Sequence, residues 1–528
     1  MTDAGDVHAF NIEMGSDASL DFDLTLKYGG AWRVKDQSGR LIADPNADDG
    51  NRNFDQWDMV NNRLSATADI VFKYKEKYGL FVRPRAYYDF AYDGRNANDS
   101  VTTNNNGPLY GGPLSKTDEF DPETQELHRD KAEILDAFAF SEFEMGGHNL
   151  VFRVGRQVVS WGEGLFFLNS ISSAQSPADA TALNAPGVEL KEVFLPVGQA
   201  YAQIDLIENL TLAGYWQYEW DKTRLDEAGS YFSTADILDD AGRRILIPLD
   251  LSAGLAATID RTSDEDPSDS GQYGLALRYL TEKLNNMEFG LYFINYHEQL
   301  PQLIGEFSGG TVSQNWGTII PDPATAGLFT LLDGSSYHLR YAEDVKLYGA
   351  SFSTVVGDTN VGGEVSYRRN LPIAVDDASN ILGLSYERAK VLQTQLSIIH
   401  ILGSSRLWDN LTLTGEAAWN RVVGGLDGKS LANDRSAWGI TLIAGLDYYQ
   451  VRPGLDLSIP ITYKGNPNGI SSVLGTFDED NDSVAINFNF TYRDRYKFGI
   501  GYTEFLHGPE KNPLSDRDYL TTTLQYTF

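Results

Sequence analysis

The stretch SVAINFNFTYR (Ser483–Arg493) alternates without a break. Val484, Ile486, Phe488, Phe490 and Tyr492 fall on one parity, while Ala485, Asn487, Asn489, Thr491 and Arg493 fall on the other. In a β-strand, side chains of one parity share one face, so this is a strand with an apolar face and a polar face. A single such strand is common in soluble proteins, and recurrence is what decides the fold. In Leu20–Tyr28, Leu20, Phe22, Leu24, Leu26 and Tyr28 oppose Asp21, Asp23, Thr25 and Lys27. The same pattern returns in Leu210–Asp221, where Trp216, Tyr218 and Trp220 join the apolar parity, and in Leu411–Asn420.

The connections alternate as well. Short turns are expected near Glu76-Lys77, Gly146-Gly147, Ile207-Glu208, Lys283-Leu284, Gly357-Asp358, Ser404-Ser405, Arg452-Pro453 and Arg493-Asp494. Long polar segments fall between them: 35–60, 93–130, 160–196, 223–269, 299–335, 370–388, 422–436, 465–481 and 506–517. Short turns at one end and long loops at the other characterise an outer-membrane barrel. The pattern predicts an all-β, antiparallel up-and-down barrel of about 18 strands, with about 16 also acceptable, as one domain over residues 1–528. Tyr28, Trp32, Tyr88–Tyr92, Trp216–Trp220 and Trp419 are placed for an aromatic girdle at the outer interface. The chain ends on a strand in which Leu520, Thr522, Leu524, Tyr526 and Phe528 share a face. Such an ending resembles the C-terminal signal through which bacterial outer-membrane barrels engage their insertion machinery.

Composition agrees. The 42 Lys and Arg against 74 Asp and Glu leave a net charge of −32, which argues against a nucleic-acid partner. Cysteine is absent, which excludes disulfides and thiolate metal sites. No run reaches the length of a transmembrane helix, but alternating barrel strands keep average hydropathy low. Met1–Gly15 has neither the basic nor the apolar region of a signal peptide, so an export signal is expected to have been removed or never present.

One stretch breaks the pattern. Asn149–Val197 begins as an alternating strand, with Leu150, Phe152 and Val154 opposite Val151, Arg153, Gly155 and Gln157. It loses all periodicity at Ser160-Trp161-Gly162. The residues beyond that point are too apolar for a solvated loop, since Leu165, Phe166, Phe167, Leu168, Val188, Phe194 and Leu195 all require burial. Residues 160–196 are expected to fold into the bore as a constriction or hatch. Trp161, Glu163, Phe166, Phe167 and Phe194 would form its contact surface. An extracellular cap, or a contact with another subunit, would also bury them.

The segments SLDFDLTLKYGGAWRVKDQ (Ser19–Gln37), GRQVVSWGE (Gly155–Glu163), PGVELKEVFLPV (Pro186–Val197) and YWQYEWDKTRLDEAGSYFSTAD (Tyr215–Asp236) resemble the proteobacterial outer-membrane family called domain of unknown function 1302. Asn169–Ala180 departs from the family pattern, with Ser176-Pro177 where an Asn-Pro pair is expected. The resemblance implies an outer-membrane barrel linked with a periplasmic lipoprotein and an efflux-type exporter of hydrophobic compounds. It implies no catalytic residues.

Parity points Arg83, Arg85, Arg153, Gln157, Arg278, Arg340 and Arg368 to the lumen, together with Glu219, Glu364 and Glu416. Opposed charges could set ion selectivity, or could simply pair across the interior. Arg156 has outward parity, which requires a bulge after Gly155 or a position above the membrane band. The acidic patches Asp44–Asn51, Asp260–Asp269 and Asp478–Asp482 lie in loops. The first approaches a calcium loop, but Gly50 comes one place late and the twelfth position is Asp55. No cofactor is expected beyond calcium at these patches. The chain lacks G-x-S-x-G and H-E-x-x-H, and His400 reads as a residue of the membrane edge, so no enzymatic activity is expected. The expected setting is the outer membrane of a Gram-negative bacterium, in contact with its lipid and lipopolysaccharide. The expected function is passage of small hydrophobic or amphipathic molecules. A diffusion porin for polar or anionic solutes, or a non-transporting structural or adhesive barrel, are the alternatives.

Overall fold

The computed structural model describes residues 10–104, 107, 112, 114–167, 169–251, 254–307 and 314–528. Leu168, expected to be buried, lies outside them. Among the described residues nineteen strands form one sheet. All but the short Phe10–Glu13 pair antiparallel in chain order from Ala18–Arg33 to Tyr519–Thr527, which makes an eighteen-stranded ring. The last strand closes on the first from Thr25↔Thr527 to Arg33↔Tyr519. Phe10–Glu13 continues the line of the C-terminal strand, pairing Phe10↔Phe22 to Glu13↔Ser19. Phe528 donates its N–H to the Leu24 carbonyl at 3.0 Å where the two meet.

Burial is inverted relative to a soluble protein. Leu212, Trp216, Leu275, Leu291, Leu396, Leu442, Phe488 and Leu524 of the wall are exposed. Their neighbours of opposite parity are buried and polar, among them Thr67, Gln157, Gln199, Ser366, Gln393, Gln395 and Thr441. Water would expel the first set and solvate the second. A hydrocarbon solvent reverses both preferences, so the ring is a transmembrane barrel with a polar interior.

Each expected short turn falls between paired strands, from Tyr74/Tyr78 to Tyr492/Tyr496. The long segments need two corrections. Residues 370–388 are not a loop: Thr359–Asp376 and Leu384–Ile401 run on as paired strands of 18 residues. A bulge at Asn370 (φ 65°) shifts the register, so Leu371, Ile373 and Val375 take the inward places on a new parity. Residues 223–269 and 299–335 are not wholly irregular. They contribute to a second sheet ordered Gln302–Glu306, Ser336–Arg340, Leu255–Arg261, Arg244–Asp250, with the helix Pro323–Asp333 against it. Arg340 belongs to this sheet, bonded to Gln302 Oε1 at 3.2 Å, and not to the barrel wall.

Tyr92, expected in the girdle, is buried among the loops with Phe54, Phe120 and Tyr231. The wall itself is uneven in height. Ala137–Met145 pairs with His148–Gln157, but Asp130–Asp136 has a neighbouring wall strand only on its other side. The chain leaves the wall at that step.

Candidate functional site

Gln157 and Gln199 mark the point of departure. Each side-chain amide donates to the other's backbone carbonyl, at 2.9 and 2.7 Å, which ties the end of His148–Gln157 to the start of Val197–Ile207. Gly162 then turns the chain at φ +97°, and a Cβ there would stand 2.5 Å from Glu364 Oε2. Only glycine meets both demands.

Two buried glutamates of the wall receive the next stretch of backbone. Glu364 accepts the N–H groups of Glu163 (2.8 Å), Gly164 (3.2 Å) and Ile171 (2.9 Å). Glu416 accepts those of Leu165 (3.0 Å) and Phe166 (2.6 Å). Arg368, also buried, donates to the Ser170 carbonyl at 2.7 Å and to the Tyr296 hydroxyl at 3.2 Å. An irregular segment has no ladder to satisfy its amides, and these side chains replace it. Trp161 lies 5.1 Å from the Tyr215 ring and 6.2 Å from Tyr292, inside an apolar cluster with Ile171, Ile294 and Leu347. Phe167 packs on Phe477 at 5.3 Å.

The same segment then touches the opposite side of the ring. Glu192 pairs with Lys27 at 2.7 Å and accepts from Thr67 at 3.3 Å, and Glu189 accepts from Gln525 at 2.9 Å. Arg85 donates to the Glu192 carbonyl at 3.1 Å, pairs with Asp179 at 3.0 Å and also pairs with Glu133. Arg224 bridges the same Asp179 (3.3 Å) and Glu133 (2.8 Å). Strands Ala18–Arg33 and Tyr78–Asp89 stand across the barrel from Thr359–Asp376 and Asn410–Gly424. Residues 158–196 are thus hydrogen-bonded to inward side chains at both ends of a diameter.

The remaining lumen candidates divide. Arg83 pairs with Asp69 (2.6 Å) and Asp136 (2.8 Å). Arg153 stacks over Tyr201 at 4.4 Å, and Arg278 donates to Gln203 at 3.2 Å. Glu219 lies past the end of strand Leu210–Gln217, where it accepts the Gly198 N–H at 2.6 Å and pairs with Arg156 at 3.5 Å. Arg156 keeps its outward parity in unbroken register, so no bulge turns it inward. Asp179, Glu192, Arg224, Gln393 and Gln395 complete the network and were not anticipated from the sequence. Glu192 had a signal, since it stands within the segment Pro186–Val197 that carries part of the family resemblance.

Spaces lie on both sides of the segment. Toward the loops is a narrow cleft of about 70 Å³, partly open to solvent, lined by Asn169, Ala178, Phe194, Tyr296, Leu371 and Val473 among others. Toward the short turns is a vestibule of about 540 Å³ bounded by Glu163, Glu288, Ser353, Asn285 and Gly357.

Several solved structures align along nearly the whole length. The OccAB3 protein of Acinetobacter baumannii is 11% identical over 96% of this chain and 99% of its own, with a TM-score of 0.41. The outer-membrane channel DcaP of the same organism is 8% identical over 98% and 99%, with a TM-score of 0.37. OpdK of Pseudomonas aeruginosa, solved with vanillate, is 11% identical over 97% and 98%, with a TM-score of 0.38. No curated protein matches the chain. The match to a family model is complete, from residue 1 to residue 528, and the chain belongs to that family, the proteins of unknown function DUF1302.

Proposed function

We propose that this protein is an outer-membrane channel for small hydrophobic or amphipathic molecules, with residues 158–196 as a hatch across its bore. The observation that carries the reading is the cleft above the segment. Its exposed lining is mostly apolar (Ala178, Phe194, Leu300, Leu371, Val473), with Asn169, Ser173, Ser176, Thr223, Glu298 and Gln299 supplying polar groups beside it. Sites of this make-up take apolar ligands and orient them by a few hydrogen bonds. The pairing of Arg83 and Arg85 with carboxylates supports the same reading, because neutralised cations make a poor anion filter. The step in the wall at Asp130–Asp136 stands where the hatch departs, which suits a cargo that partitions into lipid.

The reading is tested in proteoliposomes. Uptake of an apolar fluorescent probe should be saturable and should fall when Phe194→Arg places a charge in the cleft. In planar bilayers the wild type should conduct little. A large, steady conductance proportional to salt, unaffected by Phe194→Arg, would overturn the proposal in favour of a diffusion porin.

A further inference from the structure

Three carboxylates meet in the loop crown. Asp48, Asp49 and Asp236 are all buried, and one ligand oxygen from each lies within 4.8 Å of the others. They come from two loops, and Thr103 from a third completes the group. Its hydroxyl touches Asp48 Oδ1 at 2.8 Å and also Asp49 Oδ1. One hydroxyl has one hydrogen, so it cannot donate to both oxygens. Asp236 is only 2% exposed; its Oδ2 accepts the Asp49 N–H at 3.1 Å, while its Oδ1 has no hydrogen-bond partner. A buried carboxylate oxygen without a donor is costly unless a cation faces it.

The charge count points the same way. Arg52 pairs with Asp48 and Arg517 faces Asp236, which leaves the three carboxylates with an excess of one negative charge. The Arg517 guanidinium also donates to the carbonyls of Tyr231 and Ser233, while Asp516 pairs with Arg33. Every available donor atom is oxygen, the preference of a hard cation. A spacing of up to 4.8 Å is what two Ca–O bonds of about 2.4 Å would span.

We propose that Asp48, Asp49 and Asp236, with the Thr103 hydroxyl, form a calcium site that ties three extracellular loops together. The other acidic cluster, Glu227, Asp239 and Asp240, already holds Lys222 and needs no metal.

The test is calorimetric titration of calcium into the full-length protein, chelated and held in detergent at pH 7.5. One saturable site is expected. The isosteric Asp236→Asn should weaken it by at least about tenfold, while Asp266→Asn in another acidic loop should leave it unchanged. Should Asp236→Asn fail to fold, Thr103→Val must show the same direction of change. Calcium should also slow tryptic cleavage of the wild-type loops relative to EDTA. Equal heats in wild type and variant, or cleavage indifferent to calcium, would overturn the site and leave protonated carboxyls in its place.

Discussion

Glu364 and Ile171 are 193 positions apart in the chain, yet the Glu364 carboxylate accepts the Ile171 backbone N–H at 2.9 Å. The same carboxylate also holds Glu163 and Gly164. One side chain of the wall thereby clamps both ends of a short loop of the inserted segment.

Loosening that clamp should open the bore. Hydrogen bonds to a charged acceptor are each worth about 1.5–3 kcal/mol, so a loss of even about 1.5 kcal/mol shifts the position of the segment roughly tenfold. Single-channel conductance of Glu364→Gln/Glu416→Gln should rise well above wild type while the protein keeps the heat-dependent gel mobility of a folded barrel. Unchanged conductance would place the barrier elsewhere.

Deleting residues 165–185 should raise conductance further, because it removes the chain between cleft and vestibule. The readout is again the planar bilayer. A deletion variant that folds but conducts as wild type would mean that the segment does not obstruct the path.

Arg85→Leu should destabilise the barrel. It would leave Glu133 with Arg224 alone and take one of two cations from Asp179, a residue with almost no exposure. Breaking a buried pair by removing one partner costs about 3–5 kcal/mol, and the surviving Arg224 places the effect near the lower end. Urea unfolding followed by tryptophan fluorescence would measure it.

The crown should loosen as pH rises when calcium is withheld. Asp236 holds its proton in the folded protein up to about 7, well above the 3.8 of a free carboxyl. The folded state therefore binds more protons across that interval, and stability falls as pH climbs through it. Asp48, Asp49, Arg52, Arg517 and Thr103 surround this group. In EDTA, loop cleavage by a protease of constant activity should be slower at pH 5 than at pH 8, and saturating calcium should remove most of the difference. Equal rates in EDTA would show that these carboxyls do not govern the crown.

Much of this architecture could be read from residues alone. Period-two alternation is a local property: Val484, Ile486 and Phe488 declare a face whatever surrounds them, and so do the turns at Gly146-Gly147 and Gly357-Asp358. The ring of eighteen strands arises from repeating that local signal. The apolar break after Ser160 reads as needing burial throughout, but Leu165 and Phe166 are exposed while Trp161 and Leu195 are buried. Three things depended on tertiary structure. The bulge at Asn370 moved the inward parity by one place, so a continuing strand read as a loop. The second sheet was hidden because its strands are short, and Ile245 and Leu246 are both buried, which erases the alternation. Above all, pairing is not written in parity. Alternation could set Arg85 and Glu364 facing inward, but it could not say that one meets Asp179 and the other the amides of the inserted segment. Nor could it bring Asp48 and Asp236 together, because contacts between distant parts of a chain are decided only when the barrel closes and its loops pack on one another.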